Sequence, residues 1–372
     1  MINRFKSLFP IGKGGVGIEL APERINVAVL HKQRQGFKLA ALSSTPVPEG
    51  IFQDGQIADP PAMGELIQQA LAQSQVKAQR VATAVPGHES LIRLIPLPAE
   101  LNDLELREMV LKHEAGLYLP YPREEADVDY QKLGYFVDED GIEKVQVLLV
   151  ATPKHVTNTY ITTFGHAGLK VDVVEIQSFA LIRTIREQLR SYGTQEAAVL
   201  VDIQFDNTEI SIIVDGVPQF SRTVPIGTYQ LQSALLRSMN LPASRDIQML
   251  QTLTLPATIG GDESTDLTGM NPGTLGVMRV LAELADELRR SIDFYLNQSD
   301  NLEVVQILLA GSGGGLTNLD EFFQQRLNVT TTQIDPVAAL SLEVDEEKIT
   351  TAQRPGLGTV LGLGLRGAWG NV

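Results

Sequence analysis

The sequence predicts an α/β protein made of two larger units, the first interrupted by a smaller α/β unit. Three observations carry that reading. The chain has 372 residues, which at about 150 residues per domain makes two or three domains. A strand-turn-strand unit near the start recurs, without a gap, in the middle of the chain. Between the two copies, residues 90–168 follow a rhythm of their own.

Period-two alternation of apolar residues marks strands at 16–20, 25–31 and 37–47. Asp59-Pro60-Pro61 then signals a helix that runs to about Gln73, since proline suits a first helical turn and aspartate accepts from its free amides. Residues 81–85 read as a buried strand. The inserted stretch reads as a strand (91–97), a helix (102–117, with Asn102 as N-cap and Glu105 three residues on), two strands (128–137, 144–151) and a helix (153–164). A strand at 169–174 and a helix at 178–189 return to the first unit. After the linker at 191–194, strands are expected at 197–203, 208–214 and 217–224, with Asp215-Gly216 as a two-residue hairpin turn. Helices follow, then a polar loop over 256–273, a long helix over 274–297 and a buried strand over 304–309. Thr317 is the expected cap of the next helix.

Composition excludes several functions. Lys and Arg number 30 against 45 Asp and Glu, a net charge of −15, and so acidic a surface repels a nucleic-acid backbone. Absence of cysteine excludes disulfides, thiol catalysis and zinc-thiolate sites. No apolar run approaches the roughly 20 residues that a transmembrane helix needs. The first residues carry Arg4, Lys6 and Lys13 but no apolar core of a secretion signal. Ile2, Phe5, Leu8 and Phe9 fall on one side of a short helix, so either this tip dips into an anionic bilayer or it is a frayed end.

The recurring unit places chemistry. Residues 16–20 and 25–29 align on 199–203 and 208–212, and each copy puts a carboxylate, Glu19 or Asp202, near the end of its first strand. Two hairpins facing across a cleft can hold the two sides of a metal-bound phosphate chain, with turn amides donating to phosphate oxygens. The plain alternative is a pair of ordinary hairpins. A third element adds weight: the apolar strand ending at Ala310 runs into Gly311-Ser312-Gly313-Gly314-Gly315 and then a helix. Glycines there let a ligand approach the backbone at a helix N-terminus that favours anions. The alternative is a flexible turn, although four glycines in five residues carry a large entropy cost without a ligand.

Other motifs are set aside. Gly12, Gly14 and Gly17 spell a dinucleotide fingerprint, yet they precede a strand and open no helix. The histidines at 31, 88, 113, 155 and 166 lack metal-ligand spacing. On pattern alone Glu105, Glu108, Asp286 and Glu287 are solvated helix faces.

With these features in place, the chain resembles the actin-like ATPase superfamily, whose core is ribonuclease H-like. More closely it is similar to the PilM family of type IV pilus assembly proteins, relatives of the cell-division protein FtsA. The resemblance spans nearly the whole chain and rests on Lys112-His113-Glu114-Ala115 with Leu119-Pro120-Tyr121-Pro122, on Asp129-Tyr130, on 173–180 (VVEIQSFA), on Arg222-Thr223-Val224-Pro225-Ile226-Gly227, on 287–295 (ELRRSIDFY) and on 361–367 (LGLGLRG). It implies a first actin-like domain over 1–89, to which 169–193 and 346–372 return, an FtsA-type subdomain over 90–168 and a second actin-like domain over 194–345. It also implies ATP with Mg²⁺ in the central cleft. Glu19 and Asp202 would stand for the two phosphate-loop aspartates, Asp202 reaching the metal, and Glu175 for the carboxylate of the connecting helix. Gln204 and Thr208 belong to the second phosphate loop. Gly311, Ser312, Gly313 and Gly314 would pack on adenosine, with Glu287, Arg290 and Ser291 approaching base and ribose. The implied partner is the cytoplasmic N-terminal segment of PilN, a membrane-anchored protein. Contacts to the assembly and retraction ATPases, a homo-oligomeric ring and a peripheral place on the cytoplasmic face of the inner membrane complete the expectation.

The chain departs from the pattern at both phosphate loops. Relatives carry Asp-Ile-Gly-Ser/Thr where this chain has Glu19-Leu20-Ala21-Pro22. Proline has no N–H to donate, and alanine does not take a glycine-only conformation. Gln204 replaces a glycine, and Asn26 a lysine. Hydrolysis depends on donors and metal held against developing charge, so weak nucleotide binding and little turnover are expected. Two functions follow: a scaffold, or an enzyme of the superfamily such as a small-molecule kinase.

Overall fold

The computed structural model describes residues 14–53, 55–256, 271–299 and 302–369. The amphipathic tip at 1–9 and most of the polar loop over 256–273 lie outside the described residues.

Strands β1 (Gly14–Leu20), β2 (Arg24–Lys32) and β3 (Phe37–Pro46) form an antiparallel meander. A short ribbon, β4 (Phe52–Gln53) and β5 (Gln56–Ile57), leads to α1 (Pro60–Gln73). Asp59 caps α1 by accepting from the Ala62 amide at 3.0 Å, as its sequence signals. β6 (Arg80–Val85) then lies parallel to β1.

The inserted unit comprises β7 (Leu91–Pro98), α2 (Asp103–Glu108), α3 (Ala115–Tyr118), β8 (Ala126–Val137), β9 (Glu143–Pro153) and α4 (Lys154–His166). Asn102 and Glu105 make the expected reciprocal cap: Leu104 and Glu105 amides donate to Asn102 Oδ1, and the Asn102 amide donates to Glu105 Oε2 at 3.0 Å. The single helix expected over 102–117 has a π-helical middle, Met109–Glu114, between α2 and α3. β10 (Lys170–Ile176) returns beside β6, which gives the first sheet the order β10-β6-β1-β2-β3 and the insertion a separate sheet, β7-β9-β8.

The helix expected over 178–189 is broken at Ile185 into α5 (Gln177–Thr184) and α6 (Arg186–Leu189). Its apolar side chains Leu181, Ile185 and Leu189 pack against Leu200 and Leu308 of the second domain, forming a dry seam between the domains. The second domain repeats the first: β11 (Glu196–Ile203), β12 (Thr208–Val214) and β13 (Val217–Val224) are antiparallel, with left-handed Asp215 and Gly216 turning the second hairpin. Then come α7 (Thr228–Ser238), α8 (Gln248–Gln251), α9 (Pro272–Leu296), β14 (Glu303–Ala310), α10 (Leu319–Leu327), β15 (Thr331–Gln333) and α11 (Pro336–Ala339). The sheet order β13-β12-β11-β14-β15 mirrors the first. Asn318, left-handed and without a side-chain cap bond, occupies the N-cap position of α10; Thr317 instead pairs with Thr254 in a parallel bridge, which corrects the expected Thr317 cap.

α12 (Gly358–Trp369) crosses back onto β1 and β2. Leu361, Leu363 and Leu365 are buried, each contributing roughly 1.5–3 kcal/mol. Its approach explains the glycines of β1. A Cβ on Gly15 would lie 2.0 Å from the Ala368 amide nitrogen, and one on Gly17 would lie 2.4 Å from that of Gly364. Of the glycines that imitate a dinucleotide fingerprint, Gly17 therefore serves strand-helix contact.

Candidate functional site

The two domains enclose a cavity of about 1270 Å³, and its floor is built from the repeated hairpins. Their registers match: Leu20 faces Ile25 and Glu19 faces Asn26 in one, and Ile203 faces Thr208 and Asp202 faces Glu209 in the other. Both carboxylates line the cavity. Asn26 Nδ2 donates to Glu19 Oε2 at 2.9 Å, and Gln204 Nε2 donates to Asp202 Oδ2 at 2.7 Å. Burial pushes Glu19 up to about 7 against the Asn26 bond, with the Asp202 charge adding to it. Burial likewise raises Asp202 to about 7, with the Gln204 bond opposing and Glu209 adding. Near neutral pH each is divided between its neutral and charged forms.

Glu209 is 3 % exposed, and its carboxyl accepts from Ser221 Oγ at 3.0 Å. A Cβ on Gly87 would lie 2.1 Å from its Oε2, so this glycine admits a second-domain carboxylate against a first-domain loop. Burial raises Glu209 as well.

Each sequence-singled residue has a definite place. Gln204, Gly311 and Ser312 line the cavity with Glu19 and Asp202. Thr208 is fully buried and its Oγ1 donates to the Ile226 carbonyl at 2.5 Å, holding β12 to the turn before α7. Gly313 and Gly314 are buried behind the wall. Added Cβ atoms would lie 2.3 Å from the Ile203 carbonyl oxygen at Gly311, 2.4 Å from Ile203 Cγ2 at Gly313, 2.4 Å from the Ala310 oxygen at Gly314 and 1.7 Å from the Ala352 oxygen at Gly315. The run is thus accounted for by close approach of the chain to itself, and α10 begins only at Leu319, so the run is not a helix N-terminus. Glu175 is clamped by Arg183, whose Nη1 and Nη2 donate to its two oxygens at 2.7 and 2.6 Å, and it does not line the cavity. Its place at the wall is taken by Gln177, at the start of α5, whose Oε1 accepts from Gln204 Nε2 at 3.2 Å. Glu287, Arg290 and Ser291 sit where α9 meets β13. Arg222 bonds Glu287 Oε2 at 2.8 Å and Ser291 Oγ at 3.2 Å, and Arg290 bonds Glu287. That cluster is outside the cavity wall.

Residues that sequence reasoning passed over gather between the two turns. Arg245 lies in the loop between α7 and α8. Its Nη2 donates to the Pro22 carbonyl at 2.9 Å, and its guanidinium carbon is 5.0 Å from the centre of the Phe205 ring. Glu23 bonds Arg24 at 3.2 Å with one oxygen while its buried Oε2 has no partner, and burial raises its pKa. No periodic signal marks a loop arginine.

ATP with Mg²⁺ fits these residues poorly. Several amides at the turns are committed to the chain's own carbonyls: Ala21 donates to the Arg24 carbonyl at 2.9 Å, Gln204 to Asn207 at 2.9 Å, Gly311 to Pro355 at 3.1 Å and Gly313 to Ile203 at 2.9 Å. The first amides of α7, on Thr228 and Tyr229, donate to the Gln204 and Phe205 carbonyls. Pro22 has no N–H, and Glu23 brings a carboxylate to the turn.

The family model described as type IV pilus assembly protein PilM matches residues 17–260 and 274–368. Among solved structures, the chain is similar to the PilM-PilN type IV pilus biogenesis complex, at 24% identity and a TM-score of 0.77 over 95% of this chain and 98% of that one. It is also similar to the ethanolamine utilization protein EutJ from Carboxydothermus hydrogenoformans, at 15% identity and a TM-score of 0.55 over 95% of this chain and 89% of that one. MreB 5 of Spiroplasma citri bound to AMPPNP matches at 11% identity and a TM-score of 0.51, over 94% of this chain and 95% of that one. The paired five-stranded sheets and these likenesses make the fold an actin-like two-domain core. With the match running from β1 to α12, the chain belongs to the PilM family of type IV pilus assembly proteins.

Proposed function

We propose that this chain is a cytoplasmic scaffold of the type IV pilus assembly machinery that binds the cytoplasmic N-terminal tail of PilN in the groove beside the inserted subdomain. That tail holds it at the inner membrane. The carrying observation is the family match along nearly the whole chain joined to a cleft in which the Ala21, Gln204, Gly311 and Gly313 amides are committed to the protein's own carbonyls. No helix among the described residues is long and apolar enough to cross a membrane, and a net charge of −15 gives the body no general attraction to anionic lipid. Recruitment by a partner's tail meets both conditions. A ring of copies and contacts with the assembly and retraction ATPases belong to the same proposal.

Within it, ATP with Mg²⁺ is at most a weak cleft ligand, held by Gln204, Gly311 and Ser312 beside Glu19 and Asp202, with Asp202 the carboxylate nearest to a metal role. Efficient hydrolysis is not supported, because Glu175 is locked to Arg183 and Pro22 puts no N–H in the first turn. Titration with ATP and Mg²⁺ followed by phosphate release separates scaffold from enzyme. Turnover near about 1 per second, ordinary for kinases, would overturn the scaffold reading.

A further inference from the structure

We infer that Arg245 latches the two domains together, standing between the hairpin turns where a bound phosphate chain would otherwise form the bridge, so that cleft closure in this chain does not depend on nucleotide. Arg245 belongs to the second domain and donates across the cleft to the carbonyl of Pro22 at 2.9 Å. That carbonyl sits in the β1–β2 turn. The guanidinium carbon lies over the Phe205 ring in the β11–β12 turn, 5.0 Å from its centre, an attractive contact for a cation. One side chain therefore touches both turns. The carboxylates that interact electrostatically with Glu23 at this point include Asp206, with Arg245 as an opposing charge, so the arginine sits among charges that hold it there.

The rest of the interface makes such a latch effective. On one side the domains share the apolar seam formed by Leu181, Ile185 and Leu189 against Leu200 and Leu308. Arg245 closes the side facing the cavity. A polyphosphate has to displace it from Pro22, and finds the amides of Ala21, Gln204 and Gly311 occupied by the chain's own carbonyls. The arginine thus does what the altered turns no longer ask a ligand to do. The inference concerns the cleft alone and does not depend on the PilN tail.

The chain has no cysteine, so Glu49→Cys and Gln251→Cys introduce unique label sites at exposed positions on opposite lips of the cavity. The distance distribution between two spin labels reads closure in the full chain. The expected result is a narrow distribution that millimolar ATP with Mg²⁺ leaves unchanged. Arg245→Met, which keeps the apolar stem, shifts it to longer distance and broadens it, and Arg245→Lys gives an intermediate shift. Thermal melting of each variant establishes that it is folded, as expected for a half-exposed loop residue. If Arg245→Met matches the parent distribution, or if the nucleotide moves the parent by as much as that substitution does, the latch is refuted. Failure of the PilN-tail measurement leaves this distance result standing.

Discussion

Glu19→Gln should remove a pH-dependent strain from the cleft. Glu19 is half-buried, accepts from Asn26 Nδ2 at 2.9 Å and is pushed from an ordinary 4.5 up to about 7 by desolvation, with the Asp202 charge adding to the effect. Because its folded-state value is raised, the folded chain holds a proton between pH 4.5 and about pH 7 that the unfolded chain has released. Folding then takes up protons, so stability contributed by this group is full below the lower value and is lost as pH rises through the upper one. The shift from 4.5 to about 7 at about 1.36 kcal/mol per unit is on the order of 3 kcal/mol. Glutamine keeps the pattern of the protonated acid, one acceptor for Asn26 and one donor, and never ionises. Urea unfolding midpoints of parent and variant, compared at about pH 4.5 and about pH 8, test this. The variant should match the parent in acid and exceed it in base, with a flatter pH profile. A constant difference at both pH values, or a variant weaker in base, would refute the assignment of Glu19 as a desolvated, strained carboxyl.

Arg183→Met leaves Glu175 without its partner in a half-dry setting, and should cost about 3 kcal/mol in denaturant unfolding; Glu175→Gln added to it should recover much of the loss. Gly15→Ala drives a methyl into the backbone of α12, so it should lower the melting temperature by an amount consistent with about 1–3 kcal/mol of overpacking, whereas Gly36→Ala, with open space around it but a left-handed backbone, should cost about 1 kcal/mol. Replacing Ala21 and Pro22 together by glycine returns an N–H and conformational freedom to the first turn. ATP affinity measured by calorimetry with Mg²⁺ should then rise at least about tenfold, a gain of about 1.4 kcal/mol; an unchanged affinity would remove the altered turn from the explanation.

What was legible in the sequence was periodic or paired. The two hairpins announce themselves because a strand's alternation and a carboxylate at matching register survive in a single chain, and the caps at Asp59 and Asn102 follow from local donors and acceptors. The glycine run was legible as a place of close approach but not as approach to what: its neighbours, Ile203 and Ala352, are distant in sequence. Glu175 looked available because nothing in sequence shows that Arg183, two helical turns on, folds back onto it. Glu287, Arg290 and Ser291 face β13 through Arg222, and the angle at which α9 crosses the sheet is set by packing that no local pattern encodes. Arg245 lies in an aperiodic loop, where its role depends on two turns distant in sequence, at Pro22 and Phe205.

The most direct test of the account is a calorimetric titration of the full chain with a synthetic peptide of the cytoplasmic N-terminal tail of PilN, in the absence of nucleotide. Saturable binding at micromolar concentration, unaltered by ATP with Mg²⁺, is the predicted result. No binding at high micromolar peptide, with or without nucleotide, would contradict the assignment of this chain as the scaffold that the tail holds at the membrane.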